Sequence, residues 1–162
     1  PGGSFLNENS DLSAIRSAKK YISKVSGPLL DRIDLQIEVQ MVSYEKLSSD
    51  FGGESSQAIR KRVSRARIIQ ENRYQDAGCR DAKSLHCNAQ MGVRDIRRHC
   101  QIQPGARELL KQAMRSLNLS ARAYDRILRV SRTIADLSQS NDIQADHIAE
   151  AIQYRSMDRL WM

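Results

Sequence analysis

Three arginines near residue 120 have a spacing that suits phosphate binding. Arg122, Arg126 and Arg129 stand four and three residues apart, which places them on one face of an α-helix. Ser120 is a preferred N-cap residue, so these side chains are expected near the positive end of the helix. Guanidinium groups make paired hydrogen bonds to phosphate. A solvated helix surface has the same pattern, and the spacing alone leaves both interpretations open.

A fourth arginine, Arg32, lies between a predicted helix and a predicted strand. Apolar residues recur at helical spacing before Gly27 and Pro28, which end the helix. Apolar and polar residues then alternate over residues 35–39, which predicts a strand. Since no second strand is predicted, its partner is expected in a preceding part of the sheet or in another chain. A structural ion pair with Asp31 or Asp34 is the alternative role for Arg32.

The rest of the chain is predicted to be a bundle of helices. Apolar periodicity predicts a helix over about 56–74, a short one around Val93 and Ile96, and three more that begin near Pro104, near Ser120 and after residue 142. The polar, glycine-containing residues 41–56 predict a linker. The fold is therefore predicted to be mainly α, with a strand-bearing part at residues 1–40 and a helical domain at 57–162.

Positive charge is concentrated in the middle of the sequence. Residues 60–100 contain eleven lysines and arginines and four acidic residues. The difference, +7, equals the net charge of the whole chain. Such a section is expected to attract phosphate, and DNA contact is an alternative to a solvated basic surface. The candidate contact residues are Arg60, Lys61, Arg65 and Arg67.

Composition excludes several classes of protein. No apolar run approaches the roughly 20 residues that span a bilayer, so we expect no membrane partner. The three cysteines, Cys79, Cys87 and Cys100, have neither disulfide-framework nor zinc-site spacing, although two of them adjoin histidines, and no metal site is predicted. The first residues have no signal-peptide pattern, so a cytoplasmic location and an excised fragment are expected.

Four runs of this sequence resemble the C-terminal third of magnesium chelatase-like AAA+ ATPases of the competence protein ComM type. The resemblance covers residues 20–160 and is specific, because the runs are long. They are YISKVSGPLLDRIDL at 21–35, CNAQM at 87–91, LSARAYDRILRVSRTIADL at 119–137 and AIQYR at 151–155. It implies that residues 1–40 form the end of an AAA+ core, with its finger helix and last strand, and that 57–162 form the helical lid.

The resemblance also implies roles for two arginines. Arg32 matches the arginine finger, which reaches the nucleotide of the neighbouring subunit and stabilises charge on the γ-phosphate. Arg122 matches sensor 2, which contacts phosphates bound in its own subunit. Arg126 and Arg129 have no assigned role. The implied cofactors, ATP and Mg²⁺, belong to a full-length parent that forms a ring of identical subunits, expected to be a hexamer.

The nucleotide-binding motifs of such an ATPase are absent from this sequence. No Gly-Lys pair occurs, so there is no phosphate-cradling G-x-x-x-x-G-K-[ST] loop, and no apolar strand ends in Asp-Glu. This polypeptide alone is therefore expected neither to bind the cofactors nor to hydrolyse ATP. The expected function is nucleotide sensing within a parent that couples ATP hydrolysis to DNA remodelling, with cation chelation as the weaker alternative for the parent. The alternatives are a stand-alone basic module that binds DNA or protein, and a regulatory subunit that donates Arg32 to a separate ATPase.

Overall fold

The structure is a computed structural model that describes residues 32–37, 39, 41–42, 44, 52–75 and 85–155. The helix predicted before Gly27 lies outside these residues. The described part is mainly helical, as predicted. Its α-helices are α1 (Ser56–Gln75), α2 (Val93–His99), α3 (Pro104–Ser116), α4 (Ala121–Leu137) and α5 (Ala145–Gln153), and a short 3-10 turn spans Asn88–Gln90.

Local sequence explains where two of the helices begin. The Ser120 side chain accepts a hydrogen bond from the Ala123 backbone N–H at 3.2 Å, which confirms the predicted cap of α4. Pro104 occupies the first turn of α3, where its missing N–H costs nothing. These signals involve residues close in sequence, which is why periodicity and capping residues were sufficient to predict the helices.

Two helices end with a residue in the left-handed backbone region. Asn118 follows α3 with φ of 47°, and Gln139 follows α4 with φ of 59°. After α4, the N–H of Ser140 donates to the carbonyl of Ala135 at 2.8 Å, and the N–H of Gln139 donates to that of Asp136 at 3.1 Å. This pair of bonds is a Schellman motif, which turns the chain sharply toward α5.

Helix α4 lies at the centre of the described bundle. It packs against α1, α2, α5 and the 3-10 turn, while α3 packs against α5. Ile127 and Leu128 of α4 are buried in one core with Leu110 of α3 and Ile148 of α5. Ahead of α3 and α5, Ile102 and Ile143 form an isolated parallel β-bridge. The site-bearing helix is therefore held on several sides.

Helix α1 contacts this core only through its second half. Ala66, Gln70 and Tyr74 are buried, whereas Ile59 and Val63 are 41% and 43% exposed. The apolar periodicity predicted the helix correctly but did not predict which of its residues are buried. Among the described residues, α1 packs on α4, and the buried residues of α1 all lie in its second half.

The strand predicted over 35–39 does not form at its described residues. Residues 35–37 and 39 have no regular secondary structure. A strand needs a neighbouring strand for its backbone groups, and none lies beside this segment in the described part of the chain. Instead, the Gln36 backbone N–H donates to the carbonyl of Tyr154 at 2.9 Å. No helix among the described residues combines the length and apolar character needed to cross a membrane.

Candidate functional site

Arg122 lies on the surface in the first turn of α4. Its side chain is exposed and makes no hydrogen bond or ion pair with any described residue. The capped helix start directs the positive end of the helix toward the same region. Arg122 therefore has the accessibility and electrostatic setting that a phosphate-binding arginine needs.

Arg126, one turn further along α4, is already paired. Its guanidinium forms an ion pair with the carboxylate of Asp34, and the Arg126 side chain is only 19% exposed. The alternative in which Asp34 pairs with Arg32 is therefore wrong, because Asp34 binds Arg126 instead. Asp31 lies outside the described residues. Arg32 itself is exposed and has no ion pair within the described part of the chain.

The segment after Arg32 is held by the end of α5 as well. Arg155, only 1% exposed, donates from Nη1 to the carbonyl of Ile33 at 2.8 Å. The backbone carbonyl of Tyr154 accepts the hydrogen bond from the Gln36 N–H described above. Arg32 thus stands two residues before Asp34, and Arg122 stands about 6 Å along the helix axis from Arg126. The Arg126–Asp34 contact therefore lies one helical turn from Arg122 and two residues from Arg32.

Arg129, the third member of the predicted trio, is more enclosed. It is half-buried, and its Nε atom is shielded from solvent without a hydrogen-bond acceptor among the described residues. The trio is therefore not three equivalent cations on a solvated face. Arg122 is exposed, Arg126 is paired and Arg129 is partly enclosed.

A buried polar network lies at the other end of α4. Asp136 is fully buried and accepts two hydrogen bonds from Arg73 of α1, one of them at 2.9 Å. Arg132 donates to the same carboxylate at 3.1 Å and to the carbonyls of Asn141 and Ser140. Burial by itself would lower the pKa of Arg73, but the hydrogen bond and charge of Asp136 raise that pKa above its usual value. Burial lowers the pKa of Arg132 below its usual value.

Asn88 links this network to the 3-10 turn. Its amide nitrogen donates to Asp136 at 2.8 Å and to Thr133 at 3.0 Å, while its carbonyl oxygen accepts from Arg73 at 3.1 Å and from the Tyr74 hydroxyl at 2.6 Å. Every polar atom of the Asn88 side chain is thereby satisfied. The hydrogen bonds of Asn88 give the CNAQM run at 87–91 a structural role. The sequence alone did not indicate the residues to which Asn88 bonds.

The basic candidates on α1 are exposed. Arg60, Lys61, Arg65 and Arg67 all lie on the surface, and Arg67 has one long contact, at 3.5 Å, to Gln70. Their neighbour Arg62 instead forms an ion pair with Glu54 at 2.6 Å. The structure therefore leaves four cations of this section accessible to solvent on one helix.

Thiol and metal chemistry have few candidate groups in the described part. Burial raises the pKa of the Cys100 thiol to about 12, so it is protonated and inert at neutral pH. Cys87 is half-buried, and Cys79 lies outside the described residues. The described residues contain no group of three or more His, Cys, Asp or Glu side chains positioned to hold a metal ion.

Several known proteins are similar to this chain. It is 41% identical over 142 residues to competence protein ComM of Haemophilus influenzae, an alignment that covers 87% of this chain and 26% of that protein. YifB of Escherichia coli is 37% identical over 142 residues, with the same coverage. Rv2897c of Mycobacterium tuberculosis is 32% identical over 144 residues, which cover 89% of this chain and 27% of that protein. The chain spans about a quarter of the length of these relatives.

Two family profiles match the sequence in succession. Residues 1–47 match the profile described as magnesium chelatase, subunit ChlI, and residues 53–155 match the profile described as magnesium chelatase, subunit ChlI C-terminal. The second match includes all five described helices and both Arg122 and Arg155. The resemblance inferred from the sequence is thus confirmed, and the chain belongs to the magnesium chelatase family, whose C-terminal helical lid it contains.

Proposed function

We propose that this chain is the nucleotide-sensing region of a ring-forming AAA+ ATPase, with Arg32 as arginine finger and Arg122 as sensor 2. One observation carries the proposal: an exposed Arg122 stands one turn from Arg126, which pairs with Asp34 two residues after an exposed Arg32. Two exposed guanidinium groups, neither paired with a described residue, fit a phosphate-rich ligand. Family membership and the match to both profiles support the same assignment.

The proposed chemistry is electrostatic. Arg32 stabilises the negative charge that develops on the γ-phosphate of a neighbouring subunit, and Arg122 binds nucleotide phosphate from the lid. In comparable phosphoryl-transfer systems an arginine finger contributes on the order of 10³ to 10⁵ in rate. Mg²⁺, where bound, neutralises phosphate charge. The described residues do not fit a Mg²⁺ site, since they hold no suitable cluster of carboxylates, so its ligands belong to other residues.

The full-length protein is proposed to couple ATP hydrolysis to the remodelling of DNA. This part rests on similarity to a protein named competence protein ComM. A homo-oligomeric ring follows from the finger assignment, because Arg32 acts in this scheme on a nucleotide held by another subunit. ATP hydrolysis then alters the contacts of both arginines with phosphate, and this difference moves the helical lid relative to the bound nucleotide.

ATPase assays of a full-length protein with Walker A and Walker B motifs test the two assignments. We expect Arg32→Ala to lower turnover by about 10³-fold or more while ATP binding is retained, because only transition-state charge loses its partner. Arg122→Ala is expected to lower turnover and weaken ATP binding, because phosphate contact is lost in both states. The matched control is Arg115→Ala on α3, an exposed arginine whose side chain takes no part in these contacts. Unchanged turnover in both variants would overturn the proposal.

A basic DNA-binding module is the second candidate, favoured by the four exposed cations of α1. Arg60, Lys61, Arg65 and Arg67 occupy a helix with no acidic residue in its first turn. Cations spaced along one helix can follow a phosphate backbone. This candidate requires no nucleotide and no neighbouring subunit.

Salt dependence of DNA binding distinguishes the second candidate from the first. If α1 contacts phosphates, the 162-residue chain binds duplex or single-stranded DNA with a steep salt dependence. Replacing Arg60 or Arg65 by alanine then reduces the slope of log K against log salt by about 1 per contact. Arg107→Ala on α3 serves as the charge-matched control. A slope that none of the α1 substitutions changes would exclude this interface.

A further inference from the structure

Three contacts hold the segment that follows Arg32 against the lid. Arg126 of α4 pairs with Asp34, Arg155 after α5 binds the Ile33 carbonyl, and Tyr154 accepts the Gln36 N–H. We propose that Arg126 and Arg155 are positioning residues, which fix the finger residue Arg32 at a constant distance from the sensor helix. This inference rests on the proposed function, because it assigns Arg32 to the nucleotide.

The contact of Arg155 is the more buried of the two. Its side chain is 1% exposed, and a buried cation is costly unless hydrogen bonds compensate it. One of those bonds, at 2.8 Å, goes to a backbone carbonyl in the residue next to Arg32. A bond to the main chain fixes the path of the backbone whatever side chain stands at position 33. Arg155 therefore restricts the position from which the Arg32 side chain extends.

The contact of Arg126 connects the same segment to α4. Arg126 is mostly buried and Asp34 is half-exposed, so water screens the pair only partly. Because α4 is a continuous helix packed on several sides, Arg122 and Arg126 move together. A displacement of Arg122 on binding phosphate is thus passed to Asp34 and, two residues away, to Arg32. The spacing of the two arginines becomes a property of one rigid unit.

A charge exchange tests the contact in the 162-residue chain without any nucleotide. The readout is hydrogen exchange of the Gln36 amide, measured by NMR, because that N–H donates to the Tyr154 carbonyl when the segment is docked. Asp34→Arg and Arg126→Glu each place like charges together, and we expect each to speed exchange by about three- to tenfold. The double variant restores an opposite pair and should return exchange to within about twofold of wild type. Asp34→Asn, at a half-exposed position, gives a milder loss without risk to folding.

The functional arm uses the same variants in the full-length ATPase. We expect Asp34→Arg and Arg126→Glu to lower kcat about tenfold, with KM for ATP changed less than twofold, and the double variant to recover most of the activity. Arg115→Ala, whose exposed side chain has no part in these contacts, is the control.

The outcomes separate the two proposals. If Arg32→Ala and Arg122→Ala leave turnover unchanged, the proposed function fails regardless of the charge exchange. The positioning role is overturned if Arg32→Ala and Arg122→Ala lose activity but the double charge-exchange variant does not recover it. It is also overturned if Asp34→Arg and Arg126→Glu leave the exchange rate of the Gln36 amide unchanged. Recovery of both exchange protection and kcat supports it, because the docking of the segment and the turnover then depend on the same ion pair.

Discussion

At the scale of single residues, Asp136 of α4 links that helix to α1 through a buried ion pair with Arg73. It is fully buried, and its carboxylate forms ion pairs with both Arg73 and Arg132. It also orients Asn88, because it accepts a hydrogen bond from the side-chain amide of Asn88. Removing one charge from such a group leaves two cations without a counterion in a place where water does not compensate.

We predict that Asp136→Asn destabilises the protein by about 3 kcal/mol or more. Asparagine keeps the size of the side chain but loses the charge, and its NH₂ group faces donors where the carboxylate had accepted. Urea unfolding followed by circular dichroism measures the loss.

Glu108→Gln is the control for this substitution. Glu108 forms an exposed pair with Lys111 at 3.4 Å, and removing the same charge there should cost less than about 1 kcal/mol. If Asp136→Asn cost no more than Glu108→Gln, the described network would contribute little to stability.

The same scale shows what residue spacing can and cannot predict. The arginine spacing near residue 120 correctly identified one helix face, but it did not distinguish the exposed Arg122 from the paired Arg126. The partner Asp34 is 92 residues away in the sequence, and no local pattern indicates such a pairing. Asp136 did offer a signal, since it continues the buried stripe of α4 through Ser131 and Ala135. A charge on an apolar stripe indicates a buried partner without naming it.

At the scale of elements, the residue that follows α4 allows the conformation of a helix end to be tested. Gln139 adopts a left-handed conformation after α4, with φ of 59°, and its side chain is exposed. Such a conformation costs a residue with a Cβ roughly 1 kcal/mol relative to glycine. The Schellman bonds of α4 retain it nevertheless.

We predict that Gln139→Gly stabilises the protein by up to about 1 kcal/mol, because glycine removes the cost of the positive φ. Gln112→Gly, at an exposed position inside α3, should destabilise by a similar amount, because there glycine only adds conformational freedom to the unfolded chain. Thermal unfolding of both variants measures the two signs. Loss of stability in both would contradict the conformation assigned to Gln139.

Elements defined by local signals were predictable, and those defined by distant partners were not. The helices follow from periodicity, Pro104 and the Ser120 cap, all of which act within a few residues. The alternating residues 35–39 satisfied the pattern of a strand, but a strand also needs a neighbour, and the described residues supply none. The Gln36 N–H bonds to the carbonyl after α5 instead, a contact that alternation does not encode.

At the scale of the whole molecule, pH should act through groups buried around the α1–α4 contact. Burial raises the pKa of Tyr74 and of Cys100 to about 12 each, from ordinary values of 10.0 and 9.0. Burial, with the nearby Arg98 and Arg73, lowers the pKa of His99, whose ring packs edge-on against Tyr74 at 5.6 Å between centroids. All three groups are therefore held in their neutral forms by the folded state.

We predict that stability falls on both sides of neutrality. Above pH 9 the unfolded chain loses protons from Cys100, and above pH 10 from Tyr74, while the folded protein keeps both until about pH 12. The unfolded state then binds fewer protons, so the free energy of unfolding decreases with pH, by at most about 1.4 kcal/mol per pH unit for each group. Below about pH 6.5 the unfolded state instead binds a proton at His99 that the folded protein does not bind, and stability decreases as pH falls.

Urea unfolding at pH 5.5, 7.5 and 10.5 measures both slopes. Tyr74→Phe should flatten the loss above pH 10 and leave the acid side unchanged, and an alkaline slope that this variant does not alter would show that Tyr74 is not held neutral by burial.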